Sequence, residues 1–363
     1  MPNVIDYVNW RGDLPFERSS FGDIDNLIMS MLCFVNFEDI VPEGHTGEAI
    51  SLSDAADIFF ANEERANESY GYIIPSKDII TLFRAMSHTV RYGDLMLSSY
   101  VTLNDLEGEE QFAALTVGLP DGNKYIAFRG TDDSLVGWKE DMQLSYLFPV
   151  RAQSSAVAYL ESVANLSPDS SLFVGGHSKG GNLAFYAAAY ANEEVKSRLL
   201  RVWSNDGPGF FKRIVNGEAY SSVKDKFVAI LPEGSVIGRL FDNDAKEIIV
   251  KSNAKGLYQH DLFSWELIGN SLILADGFSD DSTVVRRAFR HWIADIDAKG
   301  REDFVIALFR LIEASGAQTL STLFSDRFHS MKTALRTVTD LSKEQKDMLL
   351  SFVTFLINLP VRQ

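Results

Sequence analysis

The sequence predicts an α/β protein with a mostly parallel sheet, a helical N-terminal region and a helical C-terminal appendage. Three observations favour this fold: strand and helix patterns alternate through the middle of the chain, helical patterns fill the first 93 residues, and they return beyond about residue 266. Alternation is typical of parallel sheets, because parallel strands need long crossover connections. We therefore predict a domain over residues 1–265, with its sheet at about 94–265, and an appendage over 266–363.

Short alternating and apolar segments, bounded by turn-forming residues, predict seven strands. They are Leu95 to Leu103, Gln111 to Leu119, Lys124 to Phe128, Ser171 to Gly175, Leu200 to Ser204, Phe227 to Leu231 and Glu247 to Lys251. Apolar residues at helical spacing predict helices around and between them. These are Asn26 to Phe37, Ser53 to Ala66, Ser76 to Gly93, Ala152 to Ala164, Asn182 to Ala191, Thr283 to Ile296, Glu302 to Ala314, Ala317 to Val338 and Lys343 to Ile357.

Composition and charge narrow the classes of function. The chain has 46% hydrophobic residues, enough for a large core, and a formal net charge of −16, which opposes binding to the phosphate backbone of nucleic acids. Cys33 is the only cysteine, so no intrachain disulfide can form, and its apolar neighbours predict a buried thiol. The sequence has neither a signal-peptide pattern nor an apolar run of membrane-spanning length, so we expect a cytoplasmic protein without a membrane span.

The segment from Leu172 to Gly181 carries the clearest chemical signal. It reads LFVGGHSKGG and contains the pattern Gly-x-Ser-x-Gly centred on Ser178. A strand that turns sharply into a helix forces the central residue into a strained backbone, and the two glycines leave room for that turn. Because an apolar strand precedes the pattern and an alanine-rich helix follows it, we predict a nucleophile elbow with Ser178 as the nucleophile. A glycine-rich connecting turn is the alternative.

A serine nucleophile needs a base, which in such folds follows it in the sequence. His291 and His329 lie in helical patterns, whereas His260 lies in a loop after the last predicted strand, so His260 is the predicted base. His177 directly precedes the serine. Adjacent side chains point apart at an elbow, so we expect His177 to be a packed residue.

Two carboxylates are placed to orient that histidine. Asp206 follows the strand after the elbow helix, in the turn Asn205 to Gly209, and Glu233 follows the next strand. Either could fix the tautomer of His260 and stabilise its charged form. We favour Asp206, because a short side chain in a glycine-proline turn is better restrained, and Glu233 remains the alternative.

Acyl transfer also requires donors aimed at the oxyanion that forms during the reaction. The backbone amide of Lys179, directly after the nucleophile, is one expected donor. The other is expected from Thr131, in the turn that follows the strand ending at Phe128. The helix dipole disfavours a cation at a helix N-terminus, so we interpret the side chain of Lys179 either as solvated or as attracting an anionic part of a substrate.

These motifs resemble those of class 3 lipases. Ala127 to Thr131, followed by Gly137 to Asp141, is similar to their oxyanion strand and the Trp/Asp segment after it, and Gly176 to Gly181 looks like their elbow. The resemblance implies an α/β-hydrolase fold, with Thr131 and the Lys179 amide as the oxyanion hole.

A second resemblance covers the whole chain, which is similar to the bacterial Mbeg1-like family. The segments Asn205 to Gly209 and Gln259 to Asp261 have counterparts in that family. In class 3 lipases the acid usually follows the next strand along the chain, which is the position of Glu233 here, and not the strand that Asp206 follows. That difference leaves Glu233 open as the acid.

The sequence therefore predicts a serine hydrolase that cleaves carboxylic or lipid esters through an acyl-enzyme on Ser178, without a cofactor or a metal. A thioesterase or transacylase with the same triad is an alternative. A non-catalytic binding module is another, since a fold does not by itself fix a function. The expected ligand is a small-molecule or lipid ester, and the sequence does not identify any partner protein.

Overall fold

An eight-stranded sheet forms the centre of the computed structural model, which describes residues 1–44, 46–62, 65, 69–70, 76–314 and 319. Its strands lie side by side in chain order, antiparallel from β1 to β4 and parallel from β4 to β8. Their bounds are β1 Ile50–Ser51, β2 Met96–Asp105, β3 Glu110–Gly118, β4 Lys124–Phe128, β5 Leu172–His177, β6 Leu199–Asn205, β7 Phe227–Pro232 and β8 Lys246–Val250. A separate antiparallel pair consists of β9 Leu267–Ile268 and β10 Ser271–Leu272.

Helices cover both faces of this sheet. Their bounds are α1 Val4–Arg11, α2 Asp23–Leu32, α3 Leu52–Ala61, α4 Ser76–Ser87, α5 Leu135–Gln143, α6 Arg151–Leu166, α7 Lys179–Tyr190, α8 Glu193–Arg198, α9 Lys212–Val215, α10 Glu218–Ser221, α11 Asp280–Asp295 and α12 Ala298–Ala314. Alternate side chains of a strand point to opposite faces. In β4, Tyr125 and Ala127 join the core with α1 to α4, whereas Ile126 and Phe128 join the core with α6 and α7.

The fold confirms the predicted mostly parallel α/β architecture, and each predicted strand lies within two residues of its observed bounds. The helix predicted from Asn26 to Phe37 runs instead from Asp23 to Leu32. The sequence analysis missed α1, which Asn3 caps through its side chain, and α5, which Ser134 caps. The apolar residues around Cys33 bury its thiol as predicted, and this burial raises the pKa of the thiol to about 12.

Hydrogen bonds join α11 and α12 to the region of the sheet. Near the N-terminus of α11, Ser282 donates a hydrogen bond to the carbonyl of Ser235, in the loop after β7. In α12, Arg301 donates through Nε to the carbonyl of Ser145, just beyond α5 (2.6 Å). None of the described helices is long and apolar enough to cross a membrane. The predicted helices at 317–338 and 343–357 lie outside the described residues, Thr319 apart, and the division into domain and appendage stays a prediction.

Candidate active site

Ser178 occupies a strained turn between β5 and α7. Its backbone has φ 56° and ψ −131°, and α7 begins at the next residue. A positive φ is uncommon for a residue with a side chain, and such strain costs about 1–3 kcal/mol. The backbone amide of Ser178 donates to the carbonyl of Asn205 in β6 (3.0 Å), which anchors the turn to the neighbouring strand. This geometry is that of the predicted nucleophile elbow.

The glycines of the motif are required by close backbone contacts. A Cβ atom added to Gly176 would lie 2.4 Å from the carbonyl carbon of Gly180. One added to Gly180 would lie 2.1 Å from the carbonyl oxygen of Phe128, at the end of β4. Real Cβ atoms do not approach backbone so closely, so α7 can start against β4 and β5 only with glycine at both positions.

Asp206 and His260 meet beside the elbow. Oδ2 of Asp206 lies 2.6 Å from Nδ1 of His260, and the two residues are 0% and 4% exposed. The other carboxylate oxygen, Oδ1, accepts hydrogen bonds from the hydroxyl of Ser235 (2.5 Å) and the amide of Gly238 (3.2 Å). The structure thus brings the favoured acid to the predicted base. Glu233, the alternative acid, makes no hydrogen bond to His260.

His177 holds the loop that carries His260. Its Nε2 lies 2.7 Å from the carbonyl oxygen of His260, and the centroids of the two rings are 4.4 Å apart. Burial and the neighbouring His260 hold the pKa of His177 well below its usual value. The neutral ring therefore donates its Nε2 hydrogen to that carbonyl. The expected packed histidine thus supports the predicted base directly.

Ser178 itself is half-buried, and its hydroxyl makes no hydrogen bond to His260 in the described structure. Such bonds are often long before a substrate binds and tighten only in the complex. Two residues near Ser178 contact His260. One is His177, which directly precedes the serine, and the other is Asp206, which follows the Asn205 carbonyl that the Ser178 amide binds.

The turn at Gly130 and Thr131 runs directly against the elbow. A Cβ atom added to Gly130 would lie 2.6 Å from the carbonyl oxygen of His177 and 3.1 Å from Cβ of Ser178. The hydroxyl of Thr131 donates to Oδ2 of Asp141 in α5 (2.6 Å). Burial of the Asp141 carboxyl group raises its pKa to about 6, although the ammonium of Lys179 and the hydrogen bond from Thr131 lower it.

Thr131 and Lys179, the predicted oxyanion-hole residues, both belong to turns at the serine: Lys179 directly follows Ser178, and Thr131 follows Gly130, which packs against the elbow. Among the described residues neither amide donates to a protein acceptor. The sequence analysis gave no role to Asp141 or Ser235, although Asp141 lies within the Trp/Asp segment that resembles the lipases.

Both interpretations of the Lys179 side chain are wrong. The residue is only 1% exposed, so it is not solvated. Its Nζ lies 2.8 Å from Oε2 of Glu140 and donates to the carbonyl oxygen of Gln111 (2.8 Å), so it is not free to attract a substrate. Sequence reasoning missed this because Glu140 lies 39 residues away and its helix was not predicted.

No group of three or more His, Cys, Asp or Glu side chains that could hold a metal ion is found in the described part of the chain. The arrangement supplies a strained serine, a histidine with a buried carboxylate partner, and a turn at Gly130 and Thr131 that packs against the serine. Together with the sheet, this elbow defines a protein of the α/β-hydrolase fold.

A comparison with protein families identifies the family. The model described as Mbeg1-like matches residues 86–310, more than half of the chain. The chain belongs to the Mbeg1-like family, as the sequence resemblance predicted. No curated protein sequence matches it.

Several solved lipase structures are similar to this chain. A Rhizomucor miehei lipase in complex with its propeptide is 16% identical, with a TM-score of 0.37, covering 57% of this chain and 68% of that one. The Lip2 lipase of Yarrowia lipolytica is 15% identical, with a TM-score of 0.33, covering 53% and 76%. A triacylglycerol lipase whose catalytic centre is formed by a serine protease triad is 20% identical, with a TM-score of 0.35, covering 56% and 82%. Similarity at this level assigns no activity to this chain.

Proposed function

We propose that this protein is a serine hydrolase that cleaves carboxylic esters, lipid esters among them, through an acyl-enzyme on Ser178. The observation that carries the proposal is the buried 2.6 Å hydrogen bond between Asp206 and Nδ1 of His260, beside a serine held in a strained strand-to-helix turn. A carboxylate bound to Nδ1 fixes the tautomer of the ring and leaves Nε2 for proton transfer.

In the proposed reaction, His260 Nε2 removes the proton of Ser178 Oγ as that oxygen attacks the ester carbonyl carbon. The carboxylate of Asp206 stabilises the imidazolium that results. The amides of Thr131 and Lys179 donate to the oxyanion of the tetrahedral intermediate. Collapse of the intermediate breaks the bond to the alcohol, which takes the proton from His260. Water then gives a proton to His260 as it attacks the acyl carbon, and collapse of this second intermediate releases the carboxylic acid while Ser178 Oγ takes the proton back.

The neighbouring His177 suits this reaction. Because burial lowers the pKa of its ring, His177 is neutral at physiological pH. No second positive charge therefore opposes the imidazolium of His260, whose ring centroid is 4.4 Å away. The hydrogen bond from His177 to the His260 carbonyl holds the base in place throughout both steps.

The test is covalent labelling with a fluorophosphonate probe, followed by hydrolysis of nitrophenyl esters of graded chain length. The wild type is expected to be labelled once, and Ser178→Ala is expected to lose both labelling and hydrolysis. It should remain folded, because only one hydroxyl is removed from a half-buried turn. Ser197→Ala, at an exposed position on α8, is the matched control and should behave as the wild type.

The outcomes separate the alternatives. Equal labelling of wild type and Ser178→Ala would place the nucleophile elsewhere. A wild type that is neither labelled nor active would favour a non-catalytic binding module. A strong preference for thioesters over matched oxygen esters, or for an alcohol acceptor over water, would instead indicate a thioesterase or a transacylase.

A further inference from the structure

Lys179 and Glu140 form a buried ion pair at the N-terminus of α7, directly behind the elbow. The charged atoms lie 2.8 Å apart, and the two residues are 1% and 0% exposed. Taking two charges out of water costs free energy, and the dipole of α7 disfavours a cation at its first residue. Apolar side chains of similar volume often stabilise a fold equally well. Stability alone is therefore a weak reason for this pair.

The hydrogen bonds of the pair join four elements around the proposed oxyanion hole. Glu140 in α5 accepts from the amide of Gln111 in β3 (3.2 Å) and from the amide of Ala152 at the start of α6 (2.9 Å). Lys179, the first residue of α7, also donates to the carbonyl of Gln111 (2.8 Å). Thus α5, α6 and α7 are all fastened to the same point of the sheet.

The residue after Glu140 is Asp141, which accepts the hydroxyl hydrogen of Thr131 (2.6 Å). We infer that Lys179, acting through Glu140, is a positioning residue that holds α5 against the elbow helix and so fixes Thr131 beside Ser178. The inference rests on the proposed hydrolase function, because it assigns the ion pair to the geometry of the oxyanion hole. The amide of Lys179 keeps its separate role as a donor.

Two variants test this role without changing the Lys179 amide. Lys179→Met keeps most of the side-chain volume but leaves Glu140 buried without its cation, which endangers folding. The double variant Lys179→Met/Glu140→Gln removes both charges and avoids that problem. The matched control is a second buried pair that lies away from the elbow, Arg91 and Asp25 in the N-terminal region, whose side chains are 0% and 3% exposed. It is replaced as Arg91→Met/Asp25→Asn.

The measurements are kcat and KM on a small neutral nitrophenyl ester, the rate of phosphonylation by the probe, and amide hydrogen exchange in α5. All are made at a temperature at which circular dichroism shows each variant to be folded. In the double variant, kcat is expected to fall on the order of 10- to 100-fold with KM little changed, because a displaced donor acts mainly on the transition state. Phosphonylation should slow in parallel, and exchange in α5 should become faster. The control pair should lose stability but keep the wild-type kcat.

Two results would overturn the inference. One is a double variant with wild-type kcat and unchanged exchange in α5. The other is an equal loss of kcat in the control pair, which would mean that Lys179 affects kcat only through the general stability of the protein. A different result counts against the proposed function. If the wild type neither reacts with the probe nor hydrolyses any ester, that function fails, and exchange in α5 alone then decides whether the pair holds the helix.

Discussion

Replacing Asp141 by asparagine is expected to stabilise the protein at neutral pH while lowering its activity. Burial raises the pKa of this carboxyl group from 3.8 to about 6, more than Lys179 and Thr131 lower it. The carboxyl group thus binds its proton roughly a hundredfold more tightly in the folded protein than in the unfolded chain, which corresponds to about 2–3 kcal/mol. An amide removes this ionisation and can still accept from Thr131.

The direction of the pH dependence of stability follows from the raised pKa of Asp141. Below about pH 4 the group is protonated in both states and its contribution to stability is fully present. That contribution is lost as the pH rises from about 4 to 6, because the unfolded chain then gives up its proton while the folded protein still holds it, and the loss is complete once the pH has passed the folded pKa of about 6. Above that pH, the free energy of unfolding of Asp141→Asn should exceed that of the wild type by up to about 2–3 kcal/mol, and kcat should fall, because a neutral acceptor holds the Thr131 hydroxyl less strongly.

The assay is urea unfolding at several pH values from 4 to 8, on the wild type, Asp141→Asn and Asp169→Asn, whose aspartate is exposed before β5. The difference between wild type and Asp141→Asn should grow between pH 4 and 6 and then level off. The Asp169→Asn control should show no such growth. A difference that is independent of pH, or that favours the wild type at pH 7, would refute the argument from burial.

Two further predictions concern the acid and the elbow. Asp206→Asn should lower kcat by up to about 10⁴-fold while Glu233→Gln has little effect, because only the true partner fixes the tautomer of the base. The measurement is steady-state kinetics on a nitrophenyl ester. A larger loss of kcat in Glu233→Gln than in Asp206→Asn would move the acid to Glu233. Gly180→Ala should prevent folding or abolish labelling, because its Cβ would meet the Phe128 carbonyl at 2.1 Å, whereas Gly277→Ala, with nothing within 4 Å, should be neutral in both thermal unfolding and labelling.

The sheet and the elbow could be predicted because their signals are local. The seven predicted strands show period-two or continuous apolar residues between turns, whereas the two-residue strands β1, β9 and β10 are too short to show such a pattern. The Gly-x-Ser-x-Gly pattern is likewise read within one strand-turn-helix unit. His260 could be predicted from the order of the catalytic residues along the sequence, because the histidine of such folds follows the nucleophile and the acid. These inferences needed no knowledge of which residues meet in space.

What the sequence could not predict depends on contacts between distant segments. Asp206 and Glu233 both follow strands at the same edge of the sheet, and only the hydroxyl of Ser235 and the amide of Gly238 show which carboxylate is built into a buried network. Lys179 looks solvated in the sequence, because its counter-ion lies in a helix with a weak apolar pattern. Burial of a charge is a tertiary property, and helix propensity does not encode it.

The distribution of backbone strain also bears on whether the site is catalytic. Five non-glycine residues of the described chain have positive φ, and two of them are Ser178 (56°) and Asp206 (48°). Glycine would adopt either conformation without this cost, so packing does not explain a side chain at both positions. Two hydrogen bonds hold Asp206 in this conformation: its backbone amide donates to the carbonyl of Ile230 (2.9 Å), and its carboxylate binds His260. A binding module gives no reason for strain at both positions. The proposed hydrolase does, because the nucleophile and the acid must both be presented at the edge of the sheet where His260 lies.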